Sequence, residues 1–271
     1  MSGRSALLVR FFVVATVALT GFAHHASAVT LDSVSHIHHV KVIENKVLVL
    51  THEGLYELVG KNDMKLIGKD RIDVMGFTSL GKLLFASGHP AIGSKMPNPI
   101  GVVKSLDGGL TWKPVSLVGK VDFHFLEGAG NDLYGADSQT GKLMYSSDSG
   151  KTWKDLGENT FTDIAVSPKM SGMAIAIKDS ELLLTEQAFK STTKIKNTLK
   201  ITQIEWRKSG LYGLGGSSLY KSTNSGKTWT KLSTFKGVPG ILSASDQMML
   251  VTVGSDIYTS NNEGKSFKKI S

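Results

Sequence analysis

The chain has no cysteine. That removes disulfides, thiolate nucleophiles and any cysteine for lipid attachment, so the fold must be held by its own core. Arginine is almost as scarce: beyond residue 28 only Arg71 and Arg207 remain. Three arginines cannot then gather around one carboxylate, and lysine, a point charge, does not reproduce the planar bidentate fork. After the first 28 residues no apolar stretch approaches the roughly 20 residues that cross a bilayer. There is no Gly-x-Ser-x-Gly elbow, and no glycine-rich phosphate loop stands between a strand and a helix. Histidine is absent after His124.

What is present begins with a leader. Residues 1–28 carry Arg4 and Arg10, the apolar run "FFVVATVALTGFA", and "ASA" at Ala26–Ala28. The pattern predicts a signal peptide cleaved before Val29, and hence a secreted, extracytoplasmic protein without a transmembrane segment. Losing two arginines reduces the formal charge of +8 but leaves the chain basic, which fits weak adhesion to an anionic cell envelope. Nucleic acid is not an expected partner. The densest lysine stretch, "KSTTKIKNTLK" from Lys190, has no aromatic residues interleaved for base stacking. The protein is expected to be a monomer.

The architecture follows from a repeat. "SLDGGLTW" starts at Ser105, "SSDSGKTW" at Ser146, "STNSGKTW" at Ser222 and "SNNEGKSF" at Ser260, with gaps of 41, 76 and 38 residues. The middle gap is twice the last, which places a worn copy near "LLLTEQAFKS"; another lies at "GLYELVGKNDMKLIG". These make six units of about 40 residues, a propeller-blade period. Within a unit, runs such as "DFHFLEG", "NDLYGAD", "KLMYSSD" and "KTWKDL" read as four short strands between turn residues. The expected fold is all-β: a six-bladed β-propeller over residues 29–271. Its closure uses either side-chain packing alone or a short strand from "VTLDSV".

The repeated phrase falls between the third and fourth strands of each blade. Its Asp and Ser bond turn backbone, its Gly takes a positive φ, and its Trp packs back into the sheet. A feature present in most blades marks scaffold rather than one site.

Ser-x-Asp-x-Gly-x-Thr-Trp is the Asp-box, or BNR repeat. The chain resembles the Asp-box propellers, a superfamily that includes sialidases, sortilin-type receptors and photosystem II assembly factors. More narrowly it resembles exported bacterial Asp-box proteins labelled glycosyl hydrolases by similarity, through "HIHHV", "THEGL", "MGFT", "ASGHP", "PNP" and "DFH". That resemblance implies either a glycan-directed activity or a role as an extracytoplasmic assembly factor. Sialidases clamp their substrate with three arginines, which this chain cannot supply. A glycosidase acting on neutral sugars needs two carboxylates about 5–10 Å apart. Its candidates are Asp122, Asp137, Asp163, Asp179 and Glu205, with Asp122, Asp137 and Glu205 foremost; the alternative role for these groups is capping strands and turns.

Histidine supplies the sharper pattern. His36, His38, His39, His52, His89 and His124 all fall at strand ends of the first three units, and all approach one face near the innermost strands. The expected site is a mouth there that holds a transition metal, Zn²⁺ or Cu²⁺, or a small polar ligand or glycan. His38, His52, His89 and His124 are the candidate metal ligands; His36, His39 and Asp122 are the candidate ligand contacts. Register decides between two arrangements. A two-residue turn at Glu44-Asn45 pairs Ile37 with His52 and leaves His39 on the face of His52, whereas a one-residue slip brings His36 and His38 there.

N-terminal sequencing of the exported protein should begin at Val29. A mature chain that retained the apolar run would make that run an anchor instead.

Overall fold

Strand by strand, burial follows hydrophobicity. The second strands of the units, such as Lys46–Thr51 and Ala174–Lys178, are near-continuous apolar runs buried on both faces. The fourth strands, such as Lys154–Glu158 and Lys268–Lys269, are mostly exposed. A strand covered on both sides needs no polar face, so a sheet graded in this way lies with its inner strands between neighbours and its outer strand in water. In this computed structural model residues 29–271 are described; the expected signal peptide lies outside the described residues.

Six antiparallel sheets form blades around an axis, each ordered A-B-C-D from the inside outward. The A strands are Ile37–Ile43, Asp73–Leu80, Phe123–Ala129, Asp163–Val166, Ile201–Arg207 and Pro239–Ala244. The sequence expectation of six blades is borne out. Among the described residues helix is confined to one 3-10 turn at Leu31–Ser33, and no helix is long and apolar enough to cross a membrane.

Six apolar clusters hold the blades together, and each spans two adjacent blades. Leu50 and Leu55 of blade 1 meet Phe77 and Ala86 of blade 2, for example, and Val49 and Tyr56 of blade 1 meet Met248 and Leu250 of blade 6. That last cluster closes the ring. Val29–Thr30 does form a strand, but it pairs with Asp63–Leu66 at the outer edge of blade 1 and extends that blade to five strands. Closure therefore rests on packing, helped by Ser243 Oγ accepting from Val42 N at 3.0 Å. Similar ties cross other seams: Phe123 N donates to Ser87 Oγ at 3.0 Å, Ile204 N to Asp163 Oδ2 at 2.8 Å, and Leu242 N to Gln203 Oε1 at 2.6 Å.

Each full copy of the eight-residue phrase forms the same C–D turn. Gly109 N donates to Ser105 Oγ at 2.8 Å, while Asp107 accepts from Thr111 N at 2.9 Å and from Thr111 Oγ1 at 2.6 Å. The net recurs around Ser146, Asp148, Gly150 and Thr152. Where Asn replaces Asp, at Asn224 and Asn262, the carbonyl still accepts the backbone N–H, and the amide now donates to the Thr228 or Ser266 hydroxyl. The worn copy in blade 4 keeps half of this. Thr185 Oγ1 accepts from Phe189 N at 2.9 Å, and Phe189 takes the left-handed φ of 61° that glycine holds elsewhere.

The phrase's aromatic residues lie in the seams, although less uniformly than the sequence suggests. Trp112 is buried at 8% exposure, whereas Trp153 and Trp229 are only half-buried. Trp153 packs on Phe123 at 5.0 Å between ring centres, and its indole N–H donates to Ser116 Oγ of the preceding blade and to Gly150 O. A ring that keeps an N–H partner at the rim stops short of the core.

Thr111 and Thr152 hold Asp107 and Asp148 ionised down to about 2, below the usual 3.8. Their stabilising contribution is then complete above the usual value and lost as pH falls towards 2. The double variant Asp107→Asn/Asp148→Asn should fold and should lose less stability than wild type between pH 4 and 2. Asp148→Ala should be clearly less stable than Asp148→Asn at neutral pH. Equal acid sensitivity in wild type and double variant, measured by urea midpoints, would remove these carboxylates from the account.

Candidate functional site

Two of the site residues, His38 and His124, owe their positions to one irregularity that recurs in the innermost strands. Pairing runs regularly from the Glu44-Asn45 turn as far as His39↔Leu50, then slips, so that Ile37 faces Thr51. His38 is the extra residue of a β-bulge. The same slip falls at Met75, His124 and Thr202 in blades 2, 3 and 5. Bulges re-aim a side chain at the rim of a sheet. Of the two registers open to the sequence, the slipped one is formed: His36 and His38 stand beside His52, and His39 faces elsewhere.

The histidines fall into two groups, each with a carboxylate and each across a seam. At the seam of blades 1 and 2, His38 Nε2 lies 3.2 Å from His52 Nδ1 and 2.9 Å from Asp73 Oδ1, and His52 Nδ1 lies 2.9 Å from Asp73 Oδ2. The His36 ring is 4.9 Å from that of His38 and 5.3 Å from that of His52. At the seam of blades 2 and 3, Asp122 Oδ2 lies 2.8 Å from His124 Nε2 and 3.2 Å from His89 Nε2. Ser138 Oγ donates to the same oxygen at 2.8 Å, while Asp122 Oδ1 is buried with no partner. His89 Nδ1 lies 2.8 Å from Asn98 Oδ1.

Tetrahedral ligation at about 2.0–2.1 Å separates donor atoms by roughly 3.4 Å. In each group, three donor atoms lie within 4.8 Å of one another. At the first seam, where the contacts among the three donor groups are 2.9–3.2 Å, shifts of a few tenths of an ångström would seat an ion. The four histidines expected as one ligand set thus divide two and two, and a carboxylate completes each set. Asp73 is the residue that the sequence reading missed. Its signal was the repeat itself, because "DVMGF" in blade 2 aligns with "DFHFL" in blade 3 and puts Asp73 where blade 3 has Asp122.

Between the groups a cavity of about 240 Å³ opens into the channel and is lined by His38, His39, His124 and, deeper, Lys41, Glu127 and Glu205. Lys41 is ion-paired with Glu127, and Arg207 Nη2 donates to Glu205 Oε2 at 2.8 Å. Burial alone would push the Lys41 ammonium down, but Glu127, Glu205 and Asp163 outweigh it and hold its pKa above the ordinary value. His39 is driven down to about 4 by burial and then by Lys41, so it stays neutral at physiological pH. Burial lowers His38 as well, against the pull of Asp73. Neutral imidazoles are the form that binds metal.

The carboxylates expected for hydrolysis are differently employed. Asp137 is buried, and its oxygens accept from Asp122 N, Thr140 N and Thr140 Oγ1. Both of its oxygens are taken up around its own hairpin and turn. Glu205 is raised by burial, against the opposing Arg207 charge, and is paired inside the channel. Asp163 ties blade 4 to blade 5, and Asp179 lies in a turn between strands with φ 51°. Of the five, Asp122 is the one in contact with histidine side chains, while Asp163 and Glu205 line the cavity beside His38, His39 and His124.

No protein-family model matches the chain, and no curated protein matches it. Solved structures share its fold. YCF48 bound to D1 peptide is similar with a TM-score of 0.52 and 14% identity, over 90% of this chain and 82% of that one. PorZ, a bacterial surface component of the type-IX secretion system of Porphyromonas gingivalis, is similar at 0.57 and 14%, over 87% of this chain and 33% of that one. The GH74 enzyme of Niastella koreensis is similar at 0.58 and 14%, over 87% of this chain and 37% of that one. The chain thus spans about a third of the length of the last two, and likeness at this identity is one of fold.

Asp163 titrates near 7 in the folded chain because burial disfavours its charge, against the usual 3.8. The folded state holds the extra proton between those values, so stability falls as pH rises through that window. Asp163→Asn cannot ionise and should gain on wild type between pH 4 and 8 in urea denaturation. A difference that stays constant across this range would overturn the assignment.

Proposed function

We propose that the protein is an exported, non-catalytic Asp-box propeller that binds a divalent transition metal at the histidine-lined mouth of blades 1–3. The observation that carries this is the convergence of two imidazole nitrogens and a carboxylate at each of two seams, within the reach of one ion apiece. With no cysteine in the chain the donors are nitrogen and oxygen, which suits Zn²⁺ or Cu²⁺ rather than Cu⁺, and the imidazoles disfavour Ca²⁺. The Asp-box reading is supported by one hydrogen-bond net repeated in four C–D turns. Export is supported by the leader pattern of residues 1–28. A hydrolase at the same mouth has less support, because Asp137 and Glu205 are held by other partners.

Protein purified without a histidine tag and stripped of metal should be stabilised by Zn²⁺ or Cu²⁺ but not by Ca²⁺. At free ion about 100-fold above Kd the expected rise in Tm is about 5–10 °C. The effect should fade below about pH 5.5, as protons compete for the imidazoles, and should vanish in His52→Ala/His124→Ala. If none of Zn²⁺, Cu²⁺, Ni²⁺ and Co²⁺ shifts Tm, the metal reading fails and the rim is a set of hydrogen-bonding groups for a small polar ligand or glycan.

A further inference from the structure

Resting on that reading, we infer that the mouth holds two ions at unlike sites: a closed one at the seam of blades 1 and 2, and an open one at the seam of blades 2 and 3. The two donor sets share no residue, and among the described residues no other set of donors comes as close. Each set has its own carboxylate, Asp73 or Asp122, so neither needs to borrow charge from the other.

The sites differ in what stands around the third ligand. At the first, His36 is exposed and stands beside the set: its ring centre lies 4.9 Å from that of His38 and 5.3 Å from that of His52, a separation that two imidazoles bound to one ion also take. Turning its ring inward completes four-coordination by protein alone, the mark of a structural site. The second has no exposed histidine of that kind among the described residues; His39 lines the cavity beside His124 but is half-buried and stands outside the donor set. The remaining polar neighbours of this site support the ligands instead. Ser138 donates to Asp122, and Asn98 Oδ1 accepts from His89 Nδ1, which turns Nε2 towards Asp122 Oδ2 at 3.2 Å. A proton on Nε2 satisfies that contact in the metal-free chain, and a cation seated between the two atoms satisfies it in the loaded one. An acceptor on the far nitrogen is the outer-shell arrangement that fixes the tautomer of a metal-bound histidine. The His89 and His124 side chains are 35% and 45% exposed, so solvent reaches this set, and with three protein donors the fourth position is left to it. That position would take a small σ-donor: water, an inorganic anion or an imidazole. Asn98 is a positioning residue there, because it acts on the ion through His89.

Calorimetric titration of Zn²⁺ into the metal-stripped chain, with parallel Co²⁺ absorption spectra, tests this. Two ions per chain are expected in wild type, one in His52→Ala and one in His124→Ala. Both substituted side chains are about half exposed, and circular dichroism of the metal-free variants checks that each folds. Azide should change the Co²⁺ spectrum of His52→Ala, which keeps the open site, and leave that of His124→Ala unchanged. Asn98→Leu should weaken the open site alone by about 10–100-fold, and Asn98→Asp, which keeps the acceptor, should restore it. One ion in wild type, lost in either variant, would overturn the two-site inference while leaving metal binding intact. Two ions with the same azide response would overturn the open and closed assignment. No binding at all would remove both this inference and the reading it rests on.

Discussion

A blade cannot bury its own faces. Each sheet is one layer thick, and its second strand is apolar on both sides, so the hydrophobic effect is satisfied only where one blade lies against the next. The six clusters show where that happens: every one lies on a seam. The seam between blades 6 and 1 must form as well, or Val49, Tyr56, Met248 and Leu250 face water. Packing of this cluster carries the closure, with the hydrogen bond from Val42 N to Ser243 Oγ across it. The added strand at Val29–Thr30 pairs at the outer edge of blade 1, and Val29 packs against the same cluster.

The mouth inherits its geometry from the same constraint. Side chains at the ends of A and B strands reach the seams, so a group assembled there draws on two blades at once. His38 and His52 meet Asp73 across one seam, and His89 meets Asp122 and His124 across the next. Any ligand held by such a group bridges two rigid sheets. Deeper in the channel the charges are paired, Lys41 with Glu127 and Arg207 with Glu205, because an unpaired ion in that enclosed space would cost several kcal/mol.

Repetition and function occupy different positions. The C–D turns tolerate exchange of Asp for Asn because both serve one hydrogen-bond net, and their conservation of shape from blade to blade serves packing. The mouth is built where the blades depart from one another. At the bulge of the A strand, blade 1 has His38, blade 2 has Met75, blade 3 has His124 and blade 5 has Thr202. Only the first and third of these can ligate through nitrogen, and the imidazoles cluster accordingly.

By itself the sequence determined the fold, and for a physical reason. A signature that recurs at a fixed period, with four strand-like runs per period, specifies its local units many times over, and six such units have few ways to pack other than in a ring. It also determined that the histidines share one face, since that follows from strand ends alone. It left the grouping open. A β-bulge of one residue at His38 turns the choice between His39 and its neighbours, and no local signal in the sequence announces it. Nor could order along the chain reveal that Asp73 completes the first group, or that Asp137 is absorbed by its own turn. Those are contacts across seams and around hairpins, and only the closed ring decides which carboxylates face the imidazoles and which face backbone.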